Sequence, residues 1–219
     1  MPYHNDLSKT RICILFVRQL VCITFLALPL LSCRASEPRA LTITVLGDSL
    51  TAGFGLDQEL AFPARLQVAL REAGWPVTVN NAGVSGDTTA AGLARLDWIL
   101  ADTPNVVIIQ LGANDALRGL PPQQARENLD EMITRTKSKG IAVILAGMQA
   151  PINLGLAYRR EFNPIYPELA KKHNVPLYPF FLEGVAGKTA LNLSDGIHPN
   201  AEGIEEMVRR FTPFLLRHL

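Results

Sequence analysis

The architecture of this chain is set by two apolar runs, Val106-Val107-Ile108-Ile109 and Ile141-Ala142-Val143-Ile144-Leu145. Neither run alternates polar with apolar residues, so both fit strands that are buried on two faces. We therefore expect both at the centre of a parallel sheet. Shorter β-type runs lie before, between and after them, and the predicted strands are Leu41–Leu46, Val77–Asn80, Val106–Leu111, Ile141–Ala146 and Val175–Tyr178.

Helical patterns fill the segments between these strands, and several of them end at glycine or proline. Pro164 and Pro167 lie inside the fourth pattern and predict a kink or a break there. Strands that alternate with helices predict a parallel sheet covered by helices on both faces. The predicted helices are Pro63–Ala73, Thr88–Ala101, Pro121–Lys139, Ala157–His173 and Glu202–Leu216.

Composition limits the class of protein. The chain has 219 residues, 48% hydrophobic and 19% charged, which suits one globular domain with a proper core. Its net charge is +1, with no block of like charges, so nucleic acid is not an expected partner. We expect a monomer.

The N-terminal segment differs from the rest of the chain. Lys9, Arg11 and Arg18 precede an apolar run from Leu20 to Leu31, the pattern of an export signal. A membrane-spanning anchor is the alternative, but Arg18 leaves the run short of the roughly 20 apolar residues that a span needs. We predict an export signal over residues 1–33, a single domain over residues 34–219 and a periplasmic location.

The three cysteines, Cys13, Cys22 and Cys33, all precede the predicted domain, so no disulfide can form inside it. The sequence Leu30-Leu31-Ser32-Cys33 resembles a lipobox, where lipid is attached after cleavage. Two alternatives stay open: a membrane tether through lipidated Cys33, or plain cleavage near Ala35 or Ala40.

Gly47-Asp48-Ser49-Leu50-Thr51 directly follows the first predicted strand. A serine on a tight turn from strand to helix exposes a nucleophilic hydroxyl. Thr51 replaces the second glycine of the G-x-S-x-G elbow, which disfavours a standard α/β-hydrolase. Taken alone, a serine in this setting could be only a helix cap.

Asp195-Gly196-Ile197-His198 precedes the last helix. An acid and an imidazole three residues apart can share one turn, with the carboxylate on one ring nitrogen and the other nitrogen aimed at a serine. A lone histidine here would more simply be a capping or surface residue. Its company with Asp195 and Ser49 favours catalysis.

Two further turns offer hydrogen-bond donors for the negative charge that acyl transfer builds on a carbonyl oxygen. They are the segment Asn81–Thr88, which contains Gly83 and Gly86, and Gly112-Ala113-Asn114-Asp115. Each could instead be a simple glycine turn or an Asx turn. Together, the four turns at one sheet edge supply a nucleophile, a base and donors, which is a complete set.

These four blocks resemble the SGNH, or GDSL, hydrolase family, whose motifs contribute Ser, Gly, Asn and His in that order. Within it, the blocks Gly47–Gly53 and Asn81–Thr89 are most similar to the bacterial multifunctional thioesterase I, lysophospholipase and arylesterase group. The resemblance implies a three-layer α/β/α fold with five parallel strands in a flavodoxin-like arrangement. It implies catalytic Ser49, Asp195 and His198, and an oxyanion hole of Ser49, Gly86 and Asn114.

The implied activity is hydrolysis of carboxylic ester or thioester bonds of small-molecule acyl substrates through an acyl-enzyme, of the arylesterase, acyl-CoA thioesterase or lysophospholipase type. No cofactor and no metal are expected, because no residues have metal-ligand spacing. A carbohydrate O-acetylesterase and a catalytically silent binding lipoprotein remain alternatives. Five residues after the central strands are predicted to line an apolar acyl groove, with ordinary loop packing as the alternative: Leu117, Leu120, Met148, Pro151 and Ile152.

Overall fold

The computed structural model describes residues 40–219, so the predicted export signal and Cys33 lie outside the described residues. Its centre is a five-stranded sheet in the order β2-β1-β3-β4-β5. Every neighbouring pair is parallel, and the order is the flavodoxin-like one. All five predicted strands are confirmed, with small shifts at their ends. The strands are β1 Leu41–Gly47, β2 Val77–Gly83, β3 Val106–Gln110, β4 Ala142–Ala146 and β5 Leu177–Tyr178.

Burial follows position in the sheet. All five residues of β3, the central strand, are buried. The apolar run Val106–Ile109 predicts this for the first four, and the fifth is the polar Gln110. β4 lies between β3 and the two-residue β5, and its first residue, Ala142, is exposed. β2 begins with alternating buried and exposed residues, which is typical of a strand at the sheet edge.

The helices follow the predicted pattern, with two breaks. The helix predicted over Thr88–Ala101 is divided at Arg95, and the one over Ala157–His173 is divided just before Ile165, next to Pro164. The second break is the expected effect of a proline without an N–H. The helices that correspond to the predicted ones are α2 Phe62–Glu72, α3 Thr89–Ala94, α4 Leu96–Ala101, α6 Pro122–Ser138, α7 Gly155–Phe162, α8 Ile165–His173 and α9 Ala201–Leu216.

Two short helices follow β1 and β3, in the turns that contain Ser49 and Asn114. α1 spans Ser49–Ala52 directly after β1, and α5 spans Ala113–Leu117 directly after β3. Four or five residues are too few to show a helical period, so the sequence does not predict them. Short 3₁₀ turns occupy Gln58–Leu60, Ile152–Leu154 and Thr189–Leu191.

The helices form a layer on each face of the sheet. The chain moves one way from β1 to β2 and the opposite way through β3, β4 and β5. Right-handed crossovers therefore put α2 on one face and α3 to α8 on the other. The terminal helix α9 packs against α2, where Phe62, Phe181 and Phe211 stack edge to face. Within residues 40–219, no helix is long and apolar enough to cross a membrane.

Candidate active site

Ser49 is the first residue of α1, at the carboxyl edge of the sheet. Asp48 caps this helix, with its Oδ1 accepting the Leu50 N–H at 3.0 Å. The turn needs a glycine at position 47, because a Cβ there would lie 2.0 Å from the Thr51 Oγ1 atom. The end of β1 therefore presents Ser49 at the edge where the other motif-bearing strands also end.

Asp195 and His198 are held in one closed turn after β5. The Leu193 N–H donates to the His198 carbonyl at 2.7 Å, and Asp195 Oδ1 accepts the N–H groups of Ile197 at 2.8 Å and His198 at 3.0 Å. Asp195 Oδ2 lies 2.6 Å from His198 Nδ1. These bonds, first the one from the His198 backbone, lower the pKa of Asp195 to about 2.

His198 contacts Ser49, which lies near the other end of the domain in sequence. Its Nε2 lies 2.9 Å from the Ser49 Oγ atom, which belongs to a residue 149 positions earlier. The half-exposed Phe54 lies against the imidazole with ring centroids 4.4 Å apart. A ring held between a carboxylate and a hydroxyl can take the hydroxyl proton, so this arrangement suits nucleophilic catalysis.

The two predicted donor residues lie in neighbouring turns. Asn114 Nδ2 donates to the Asp87 carbonyl at 2.9 Å, which occupies one of its two N–H bonds. Gly86 has φ +86°, in the left-handed region that favours glycine, and its carbonyl accepts from Arg118 Nη2 at 2.8 Å. Ser49 and Asn114 line a common cavity, whereas Gly86 is not among its lining residues.

Arg95 connects the end of β1 to the turn that contains Asp87, a role that no sequence motif indicates. Its Nε lies 2.7 Å from Asp87 Oδ2, and its Nη2 donates to the Gly47 carbonyl at 3.0 Å. Since the Asp87 carbonyl accepts from Asn114, one arginine ties the end of β1 to the turn that positions the amide. An arginine inside a helical pattern carries no sequence signal for such a bridge.

Asp48 is a buried carboxyl next to Ser49. It has no exposed surface, and its Oδ2 has no hydrogen-bond partner among residues 40–219. Gln110 lies beside it, accepting the Asp48 N–H at 3.4 Å and the Thr51 hydroxyl at 2.7 Å. Burial raises the pKa of Asp48 to about 6.

Asp48→Asn should stabilise the protein more at pH 8 than at pH 5. The pKa of Asp48 is about 6 in the folded chain against an ordinary 3.8, so between these values the folded state binds more protons and stability falls as pH rises. The difference of about 2 between the two pKa values lowers the free energy of unfolding by at most about 3 kcal/mol above pH 6. Urea unfolding of the variant and the wild type at both pH values measures this difference in the free energy of unfolding. The exposed Asp57→Asn variant is the control, and an equal change at both pH values would contradict the expectation.

A cavity of about 500 Å³ opens beside Ser49 and His198. Four of the five predicted groove residues line it: Leu117, Met148, Pro151 and Ile152. Leu120 does not, which corrects that prediction. Its N–H donates to the Asp115 carbonyl at 2.9 Å, and its carbonyl accepts the Tyr158 hydroxyl at 2.7 Å, so Leu120 closes the turn after α5 instead.

The family model described as the GDSL-like Lipase/Acylhydrolase family matches residues 45–205 of the chain. The match begins in β1 and ends in α9, and it includes Ser49, Asn114, Asp195 and His198. The chain belongs to this family. As a GDSL-type hydrolase it is a serine hydrolase that acts on ester bonds, and the family resemblance drawn from the four sequence blocks is confirmed.

Individual relatives agree with this membership. The chain is 42% identical to an arylesterase of Vibrio mimicus, over 90% of this chain and all of the relative. It is 41% identical to the thioesterase 1/protease 1/lysophospholipase L1 of Escherichia coli, over 81% of this chain and 84% of that protein. The crystal structure of TesA, 41% identical, superposes with a TM-score of 0.78 over 81% of this chain and 99% of that one.

Proposed function

We propose that this GDSL-type hydrolase cleaves acyl esters and thioesters through an acyl-enzyme formed on Ser49. The supporting observation is the continuous hydrogen-bonded series from Asp195 Oδ2 to His198 Nδ1 at 2.6 Å and from His198 Nε2 to Ser49 Oγ at 2.9 Å. His198 takes the Ser49 proton as Oγ attacks the acyl carbon, then gives it to the leaving alcohol or thiol. Water, activated by His198, hydrolyses the acyl-enzyme.

Asp195 orients the ring and stabilises its charged form. A pKa of about 2 keeps its carboxylate ionised at neutral pH. The ionised oxygen accepts a hydrogen bond from the Nδ1–H group and leaves Nε2 free to accept the proton from Ser49.

The oxyanion is proposed to bind to three donors: the backbone N–H groups of Ser49 and Gly86 and the side-chain amide of Asn114. As the first residue of α1, Ser49 has an N–H without an intrahelical acceptor. Asn114 lines the same cavity as Ser49 and retains a second amide hydrogen after its bond to Asp87.

Asn114→Ala should lower kcat by about 10²–10³ with little change in KM, as the loss of an oxyanion donor does elsewhere. The donor acts mainly once the oxygen is charged, so its loss appears in the chemical step. Asn114→Asp should be no better, because a carboxylate offers no donor and repels the oxyanion.

If Asn114 only shapes its turn, the Ala variant would lose thermal stability while kcat per folded molecule stayed near that of the wild type. Measuring kcat and Tm on one preparation separates the two roles. An unchanged kcat with a lowered Tm would remove Asn114 from the oxyanion site.

The cavity favours acyl groups longer than acetyl. Met148 is buried, Leu117 and Ile152 are exposed, and all three line the cavity beside Ser49. The names of two relatives, an arylesterase and a thioesterase 1/protease 1/lysophospholipase L1, support aryl esters and acyl thioesters as substrates of this chain. Kinetics on p-nitrophenyl esters and acyl-CoA thioesters of graded length test this. Hydrolysis of acetyl esters alone would instead favour the O-acetylesterase alternative.

We further propose that the enzyme is exported to the periplasm, with the mature chain starting at or shortly after Cys33. The supporting observation is the basic and apolar pattern of residues 9–31. N-terminal analysis and mass spectrometry of protein from its native host test both cleavage and lipid on Cys33. Protein that retains residues 1–32 would contradict export by a cleaved signal.

A further inference from the structure

Arg159 puts a positive charge in the wall of the cavity beside Ser49. It lies on α7 and is half-buried, and it lines the cavity together with Leu117, Pro151 and Ile152. Its Nε is buried and has no hydrogen-bond partner among residues 40–219. The ion pairs of arginine within that part of the chain involve other residues: Arg65, Arg95, Arg126, Arg135, Arg209 and Arg210.

The helix that carries Arg159 is firmly held. The preceding Tyr158 donates its hydroxyl to the Leu120 carbonyl at 2.7 Å, and Phe162, one turn later, is fully buried and stacks on Tyr158. The base of the arginine side chain is therefore fixed beside the cavity.

A buried cationic donor without an acceptor costs free energy, and such groups in a binding cavity point to an acceptor on the ligand. An arginine that only covers apolar surface with its carbon chain keeps its charged head in water. At Arg159 the Nε itself is buried, at the point where the guanidinium begins. Simple covering of apolar surface therefore leaves the burial of this donor unexplained.

We infer that Arg159 binds an anionic oxygen group of the substrate, so that this hydrolase prefers esters carrying a carboxylate or a phosphate. A planar guanidinium pairs with both groups through charge-assisted hydrogen bonds. This inference rests on the proposed function, because it concerns esters cleaved at Ser49. The charge can lie on the acyl chain or on the alcohol, and the two locations are separated by experiment.

The test compares two pairs of esters that differ in charge. p-Nitrophenyl hexanoate and p-nitrophenyl hydrogen adipate differ at the far end of the acyl chain, whereas 1-hexanoylglycerol and 1-hexanoylglycerol 3-phosphate differ on the alcohol side. The ratio of kcat/KM for the anionic ester to that for the neutral one is measured for the wild type, Arg159→Met, Arg159→Lys and Arg160→Met. Arg160 is the matched control, because it is the next residue on α7, is exposed and does not line the cavity.

Arg159→Met should lower this ratio about tenfold or more in at least one pair, mainly through KM, as expected for the loss of a charge-assisted hydrogen bond. Arg159→Lys, which keeps the charge, should restore most of it, and Arg160→Met should leave it within about twofold. If Arg159→Met does not fold, Arg159→Gln replaces it.

Ratios that stay constant in both pairs, or that fall equally in Arg160→Met, would overturn the inference. The proposed function is tested separately by the neutral esters. If their hydrolysis depends on Ser49 while the ratios do not depend on Arg159, the inference about Arg159 alone fails. If their hydrolysis survives in Ser49→Ala, the proposed function fails.

Discussion

Ser49→Ala should abolish ester hydrolysis, with a loss in kcat on the order of 10⁵–10⁶, as for the nucleophile of another serine hydrolase. The variant removes the atom that attacks the acyl carbon, so no acyl-enzyme can form. The fold should be intact, because the described contact of the Ser49 hydroxyl is with His198 Nε2. Equal Tm values for variant and wild type would show that the loss is chemical.

Ser85→Ala is the matched control, since Ser85 lies exposed in the turn after β2 at the same edge of the sheet. It should keep wild-type activity. A fluorophosphonate probe should label the wild type and Ser85→Ala on Ser49, with loss of fluoride, and leave Ser49→Ala unlabelled. Retention of more than about 1% of kcat in Ser49→Ala would remove Ser49 from its proposed role. An unlabelled wild type would instead favour the silent binding lipoprotein.

Much of the fold could be predicted because buried strands and helix ends have recognisable patterns in the local sequence. A strand covered on both faces has an unbroken apolar run, as β3 has over Val106–Ile109, and a proline marks the break between α7 and α8. No proline or glycine in the sequence marks the break between α3 and α4 at Arg95. Its observed side-chain bonds run to Asp87 and to the Gly47 carbonyl, and contacts of this kind form only when distant segments meet.

The same division holds at the site. Ser49 and the Asp195–His198 pair could be predicted because each lies in a short motif whose geometry is local. Phe54, which lies against the imidazole, and Gln110, which accepts from Thr51, act only across the folded site. Leu120 was wrongly assigned to the groove because a leucine in the loop after a central strand looks the same in the sequence whether it lines a groove or closes a turn.

Asp195→Asn should lower kcat by about 10⁴, as the same change does to the aspartate of another catalytic triad. The amide Oδ1 can still accept the N–H groups of Ile197 and His198, so the turn keeps its shape. Its Nδ2 then faces His198 Nδ1, donates to it and drives the ring proton to Nε2. A protonated Nε2 cannot accept the proton of Ser49.

The Asp195→Asn variant distinguishes two possible roles of Asp195, which are to orient the imidazole of His198 and to shape the turn. If Asp195 only fixes the backbone, Asn would retain most of kcat, and Asp195→Ala, which loses the Oδ1 bonds as well, would lose stability. If Asp195 sets the tautomer, both variants lose kcat, and the Asn variant does so at nearly unchanged Tm. The exposed Asp102→Asn variant controls for the loss of one negative charge. An active Asp195→Asn would leave His198 as a base without a required acid partner, since Oδ2 is the acceptor 2.6 Å from Nδ1.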